Sequence, residues 1–492
     1  MIAEHLPALQ VVVPLAAAPL IVLLRHPGIA WALAVAAGVF AFGASVALAL
    51  EVARTGVISY AMGSWPPPWG IEYRVDALSA FVLVLVSAIG ALVAPYAWRS
   101  VAAELPRAQH YLYYAVHCLC LAGLLGMTIS GDAFNVFVFM EIASLAMYVL
   151  IALGRDRRAL LASYQYLILG TIGATFYVIG VGLLYLTTGT LNIADMAERL
   201  AQAGATRAVL AALAFITVGL SLKLALFPLH LWLPNAYTYA PSAATALLAA
   251  TATKVSVYVL LRFYFTVFGP LVVDALPVPE ILIALSIAAI VTASLVALWQ
   301  ADFKRLLAYS SVAQIGYITL GVGLATRDGL TAAVAHLFNH GITKGALFLL
   351  VGGIALRAGG AGFERLQGLA RTMPVTCLGV TLAGLSLIGV PGTAGFISKW
   401  YLVLGALEAG LWWLAGLVVL TSLIAVAYVW RFVEAAYLGE PPAGGARGAE
   451  APLSMLAVSW LLVAACIWFG FDTSFTVEGA RRAALLMLGG AP

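Results

Sequence analysis

The sequence predicts an all-α integral membrane protein of about fourteen transmembrane helices. Three observations carry that expectation. The chain is 63% apolar and only 9% charged, and its mean hydropathy is +1.03, far outside the range of soluble globular domains. Apolar runs of about 20 residues follow one another with short polar punctuation, which suits helical spans rather than the alternating pattern of a membrane barrel. No soluble domain fits between them.

Windows of about 19 residues place the spans near 7–25, 29–53, 75–98, 111–130, 133–153, 159–188, 208–240, 242–267, 279–299, 306–325, 329–356, 374–407, 410–438 and 452–471. The stretch before the first span, Met1 to Gln10, holds Glu4 and no basic cluster, so it reads as the start of a retained helix rather than a cleavable signal peptide. Cytoplasmic loops retain Lys and Arg. With the N-terminus outside, the inner edges hold thirteen basic residues, Arg25, Arg99, Arg107, Arg155, Arg157, Arg158, Lys304, Arg305, Arg357, Arg365, Arg371, Arg431 and Arg447. The outer edges hold eight, Arg54, Arg74, Arg199, Arg207, Arg262, Arg327, Arg481 and Arg482. Both termini are therefore expected on the outer side of a cell membrane. This edge pattern, rather than nucleic-acid binding, accounts for the net charge of +4.

In the fourth span, Cys118 and Cys120 are too close on one helix to bridge, and Cys377 and Cys466 also lie in apolar runs, so all four read as free packing residues. The fifth span carries Glu141, a carboxylate at membrane depth that needs a cation, with Lys223 the natural partner. Such a pair holds the lysine protonated when closed and lets its proton leave when separated. The competing reading is a static salt bridge that specifies packing.

The seventh span is too long for a simple crossing, and its segment Leu222 to Pro234 contains two prolines. The twelfth behaves likewise at Gly389 to Lys399, GVPGTAGFISK. Both are expected to be discontinuous helices, each with a lysine beside the break, Lys223 before Pro228 and Lys399 after Pro391. Broken helices at corresponding positions of two halves mark a transport site built from inverted repeats, here spans four to eight against nine to thirteen.

Twenty arginines and five lysines make up the basic residues, yet the four deep in apolar spans are all lysines: Lys223, Lys254, Lys344 and Lys399. Arginine stays charged at any working pH, whereas a lysine can exchange its proton. Four lysines and Glu141, if unpaired and facing lipid, would cost roughly 12 to 18 kcal/mol on insertion scales. They are expected to face one another or internal water, the alternative being snorkelling or a fixed ion pair. In the eleventh span His336, His340 and Lys344 recur at i+4 steps on one helical face. Two such histidines suit zinc, but no nearby carboxylate or cysteine completes a metal site. Isolated membrane histidines such as His117 and His230 read as packing residues. Asp302 and Lys304, between spans nine and ten, either couple the halves or mark a loop edge. No phosphate-binding loop, dinucleotide fingerprint or spaced cysteine set is present, so neither nucleotide hydrolysis nor electron transfer is expected, and no cofactor.

Glu141 in its span, SLKLALFPLHLWLP from Ser221, ALWQADFKRLLAYSSVAQIGY from Ala297, HLFNHGITKGALFL from His336 and GVPGTAGFISKW from Gly389 together resemble the antiporter-like superfamily. That superfamily comprises the large subunits of multisubunit Mrp-type sodium/proton antiporters, the antiporter-like subunits of respiratory complex I, and membrane arms of membrane-bound hydrogenases. The length, the segment WPPPWGIEYRVD from Trp65, a lysine at position 399 and the lack of a long C-terminal extension are most similar to the D-type subunits of the Mrp antiporters. The resemblance implies fourteen helices with two inverted five-helix repeats: an N-terminal three-helix segment at 1–105, repeats at 106–270 and 271–440, and a C-terminal helix at 441–492. It implies that Glu141 and Lys223 form a functional pair, with Lys254, His336, His340, Lys344 and Lys399 continuing a hydrophilic axis. It further implies partner subunits in a hetero-oligomer, with protons and sodium as cargo. A redox-driven pump of complex I or hydrogenase type would use the same axis.

Overall fold

The computed structural model describes residues 3–273, 275–441 and 449–490, so Arg447, assigned above to an inner edge, lies outside the described residues. The chain folds into a helical bundle. α1 (Leu6–Leu24) and α2 (Pro27–Thr55) lead into a two-stranded antiparallel hairpin, β1 (Ile58–Ala61) and β2 (Glu72–Val75), before α3 (Ala77–Glu104). Then come α4 (His110–Ile129), α5 (Ala133–Ala152), α6 (Arg158–Thr188), α7 (Ile193–Ala203), α8 (Arg207–Leu224), α9 (Trp232–Tyr239) and α10 (Ser242–Leu261). The second half holds α11 (Pro270–Val273), α12 (Val278–Leu298), α13 (Phe303–Leu324), α14 (Arg327–Ala358), α15 (Phe363–Leu366), α16 (Pro374–Ile388), α17 (Ala394–Glu408) and α18 (Trp412–Val433). α19 (Leu453–Phe471) and α20 (Ser474–Met487) close the chain, so the C-terminal segment holds two helices where one was expected.

Among the described residues, thirteen helices are long and apolar enough to cross a membrane. The span expected at 374–407 is the pair α16 and α17, each too short to cross alone. Both expected discontinuities are present, with local causes. α8 stops where Ala225 turns left-handed (φ 61°), ahead of Pro228 and Pro234, and the chain re-enters helix only at Trp232. Trp232 donates its indole N–H (2.9 Å) to the carbonyl of Leu222 in the last turn of α8, tying the re-entered helix to the end of the one before it. α16 ends on Gly389 at φ 91°, a conformation that favours glycine. Pro391 then prevents helix until Ala394.

The two halves also share a backbone device. Asp132 caps α5 and bridges Asn192, while Asp302 caps α13 and bridges Gly362 at the same sequence separation. In each, a helix start is tied to the segment after the next long helix.

α10 and α14 occupy the interior: every residue of α10 is buried, as is α14 from Gly329 to Ile354. α1, α2, α6, α12, α18 and α19 form the rim and carry exposed leucines, valines and tryptophans, the surface that hydrocarbon rather than water solvates. One placement differs from the sequence reading. Arg262, assigned to an outer edge, is buried in a π-helical turn at the end of α10. The carboxylate of Asp76 bonds its guanidinium and the Tyr258 hydroxyl accepts from its Nε (3.0 Å), which is what makes the burial tolerable. Lys304 is buried as well, donating to the Ala240 carbonyl at the end of α9 (2.7 Å) and so joining the start of α13 to the first half.

Candidate functional site

The four deep lysines all point inward. On α8, Lys223 is 4% exposed. Its Nζ lies 3.6 Å from Glu141 Oε1 and donates to Ser144 Oγ at 2.7 Å, both on α5. Glu141 is less enclosed than its mid-span position suggests, with 27% of its side chain exposed. The pair therefore sits at the boundary between bundle interior and outer surface.

Lys254 on α10 is 1% exposed; its Nζ donates to the carbonyl of Ala249 (2.5 Å) and to Thr253 Oγ1 (3.4 Å). Lys344 on α14 is wholly buried and donates across to α13, to the Leu307 carbonyl (2.7 Å) and to Ser310 Oγ. Lys399 on α17 folds back over the helix break. Its Nζ donates to the carbonyls of Ile388 (2.7 Å) and Leu387 (3.4 Å), the free end of α16, and to Ser422 Oγ at 3.1 Å. The negative end of a half-helix dipole thus faces the ammonium. The Tyr317 ring adds a face 4.6 Å from Nζ. Gly389 matters here a second time, because a Cβ on it would come within 2.9 Å of Lys399 Cδ.

His336 bridges the break to the interior: Nδ1 meets Ser398 Oγ at 2.7 Å and Nε2 meets Gln314 Oε1 at 2.8 Å. Gln314 in turn donates to Leu387 (3.5 Å), whose carbonyl also receives Lys399. The i+4 spacing of the histidines produces stacked rings 5.8 Å apart at 6°. His340 is buried, with neither ring nitrogen bonded within the protein.

The structure thus brings together Lys399, Gln314, His336 and His340 as one polar cluster, and Glu141 with Lys223 as another. Lys254 and Lys344 are each held by backbone carbonyls and hydroxyls. Among the described residues, Lys223 is the one of these four lysines that pairs with an acid. No group of three or more His, Cys, Asp or Glu that could hold a metal ion occurs among them either. Gln314, Ser398, Ser144 and Ser310 were not singled out from the sequence; their signal is a polar residue on the buried side of an apolar span. His117 stacks on Tyr113 and His230 on Phe227.

The family described as NADH:quinone oxidoreductase/Mrp antiporter, transmembrane, matches residues 130–425, which contain every residue of both clusters. The N-type subunit of the NADH-quinone oxidoreductase of Desulforudis audaxviator is 45% identical over 456 residues, 91% of this chain and 89% of that protein. The D-type subunit of the Na(+)/H(+) antiporter of Alkalihalophilus pseudofirmus is 30% identical over 396 residues, 80% of this chain and 79% of that protein. In the Mrp complex of Dietzia sp. DQ12-45-1b, one chain superposes with a TM-score of 0.91 at 27% identity, covering 99% of this chain and 98% of that one.

Proposed function

The chain belongs to the NADH:quinone oxidoreductase/Mrp antiporter transmembrane family, and from that premise we propose that it is the proton-translocating subunit of a multisubunit complex in the cell membrane. The observation that carries this reading is the set of buried amines, Lys254, Lys344 and Lys399, that hold hydrogen bonds to carbonyls and hydroxyls but no counter-charge among the described residues. A permanent charge so placed is expensive. A group that alternates between ammonium and amine is not obliged to bear that cost continuously, and lysine, unlike arginine, can alternate.

A proton enters at Lys223 or Lys254 and passes by internal water and by His336, His340 or Lys344 to Lys399. Opening of the 3.6 Å Glu141–Lys223 contact gates the transfer. The partly exposed seat of Glu141 suits a gate, since its carboxylate has room to leave. The break between α16 and α17 supplies the backbone carbonyls that hold Lys399, and the paired bridges at Asp132 and Asp302 support reading spans four to eight and nine to thirteen as inverted repeats.

Two drivers fit the same axis. The identity of 45% to a quinone oxidoreductase subunit, against 30% to an antiporter subunit, favours a redox-driven complex. The second reading, a subunit of an Mrp-type sodium/proton antiporter powered by the proton-motive force, is favoured by the full-length superposition on a chain of the Dietzia Mrp complex.

The test of the gate is Lys223→Arg in the assembled complex, followed by proton movement in everted vesicles. Arginine keeps the ion pair but cannot release a proton, so transfer should fall by at least about tenfold while assembly is kept. Undiminished transfer would reject the gate. Glu141→Gln should fail too, by leaving Lys223 without its counter-charge.

A further inference from the structure

A second polar feature lies far from this axis, where α1 passes into α2 and α3 into α4. A cavity of about 460 Å³ opens there, lined by His26, Trp98, Arg107 and His110 together with apolar Leu105 and Tyr114. Every ionisable group on its wall other than the Tyr114 phenol is basic. The nearest acid in sequence, Glu104, is turned to the opposite face of α3, where it accepts from the Ser242 amide (2.9 Å) and Ser100 Oγ (2.6 Å). Arg25 and Arg99, neighbours of His26 and Trp98, are exposed and add positive charge at the rim.

The donors are free to act. Arg107 is exposed. His26 accepts the Ile29 amide on Nδ1 (3.3 Å) while capping α2, which leaves its Nε2–H available. His110 is fixed instead, its Nε2 donating to the Leu105 carbonyl (3.0 Å), and serves as a wall. Beside these donors, Trp98 is 41% exposed, and the chain next to His26 and His110 presents the exposed side chains of Leu24 (52%) and Leu112 (36%). A cationic recess at the ends of four spans, bordered by a tryptophan and lipid-facing leucines, has the two-part character of an interfacial site.

We propose that this cavity binds the phosphate of an anionic phospholipid, with Arg107 and His26 on the headgroup and the acyl chains lying along Trp98. Charge complementarity selects the headgroup and the adjoining apolar surface selects a lipid over a free anion.

The experiment uses the full chain in phosphatidylcholine nanodiscs that contain a minor fraction of bromine-labelled phosphatidylglycerol or bromine-labelled phosphatidylcholine. Subtracting the fluorescence of a Trp98→Phe variant isolates the Trp98 signal. Brominated phosphatidylglycerol should quench Trp98 at a lower lipid fraction than brominated phosphatidylcholine, and Arg107→Gln should weaken that preference roughly fivefold, with Arg107→Lys retaining most of it. Equal quenching of the wild type by both lipids would overturn the assignment without reference to any variant. Loss of the preference on adding inorganic phosphate would overturn it in favour of a free anion.

Discussion

At the scale of single residues, lysines that have a counter-charge should behave differently from those that do not. Lys254→Met removes an ionisable group without leaving an acid behind, so the protein should melt at the same temperature or higher while proton transfer falls. Lys223→Met, by contrast, strands Glu141 and should lower stability as well. The Arg262–Asp76 pair obeys the same logic with no role in transfer assigned to it. Arg262→Ala leaves a buried carboxylate unpaired and should cost about 3 to 5 kcal/mol, read as a fall in melting temperature. Asp76→Asn combined with Arg262→Met should recover most of that loss. Single residues are also where sequence reading reaches its limit. The deep lysines are visible because an ionisable group in an apolar run is rare. Arg262 is not, because its partner Asp76 lies far away in the chain and only folding brings the two together. The quarter-exposed seat of Glu141 is hidden for a related reason: span position fixes depth along a helix but not the direction its side chain faces.

At the scale of elements, hydropathy and proline placement suffice for the spans. Each of the fourteen expected spans has a counterpart, and both breaks follow from residues that cannot continue a helix, Pro228 and Pro391 with Gly389. The short amphipathic α7, the β1–β2 hairpin and the second C-terminal helix α20 lack a strong apolar signal and are not legible in the same way. The contact across the α16–α17 break can be tested through glycine. A Cβ on Gly395 would lie 1.8 Å from the Ser386 carbonyl oxygen, whereas one on Gly416, on α18, meets nothing within 4 Å. Gly395→Ala should therefore destabilise by about 1 to 3 kcal/mol and displace Ser398 and Lys399, reducing transfer too. Gly416→Ala should be neutral or stabilising by up to about 1 kcal/mol, a contrast that thermal unfolding of the two variants measures.

At the scale of the whole molecule, the chain is one member of an assembly, and what drives it is decided by the neighbours it keeps. A redox-driven subunit should co-purify with iron–sulfur proteins, and its proton movement should persist when sodium is replaced by choline. An Mrp-type subunit should co-purify with small membrane proteins alone and lose transfer without a monovalent cation. Both outcomes leave the buried axis in place. The most direct test of that axis is the proton flux of the reconstituted complex carrying Lys399→Met, because every branch of the route ends at Lys399, whose ammonium bonds to carbonyls and a hydroxyl rather than to an acid. Assembly should be normal and flux reduced by at least about two orders of magnitude. Flux at the wild-type rate in that variant would contradict a proton route through the buried lysines.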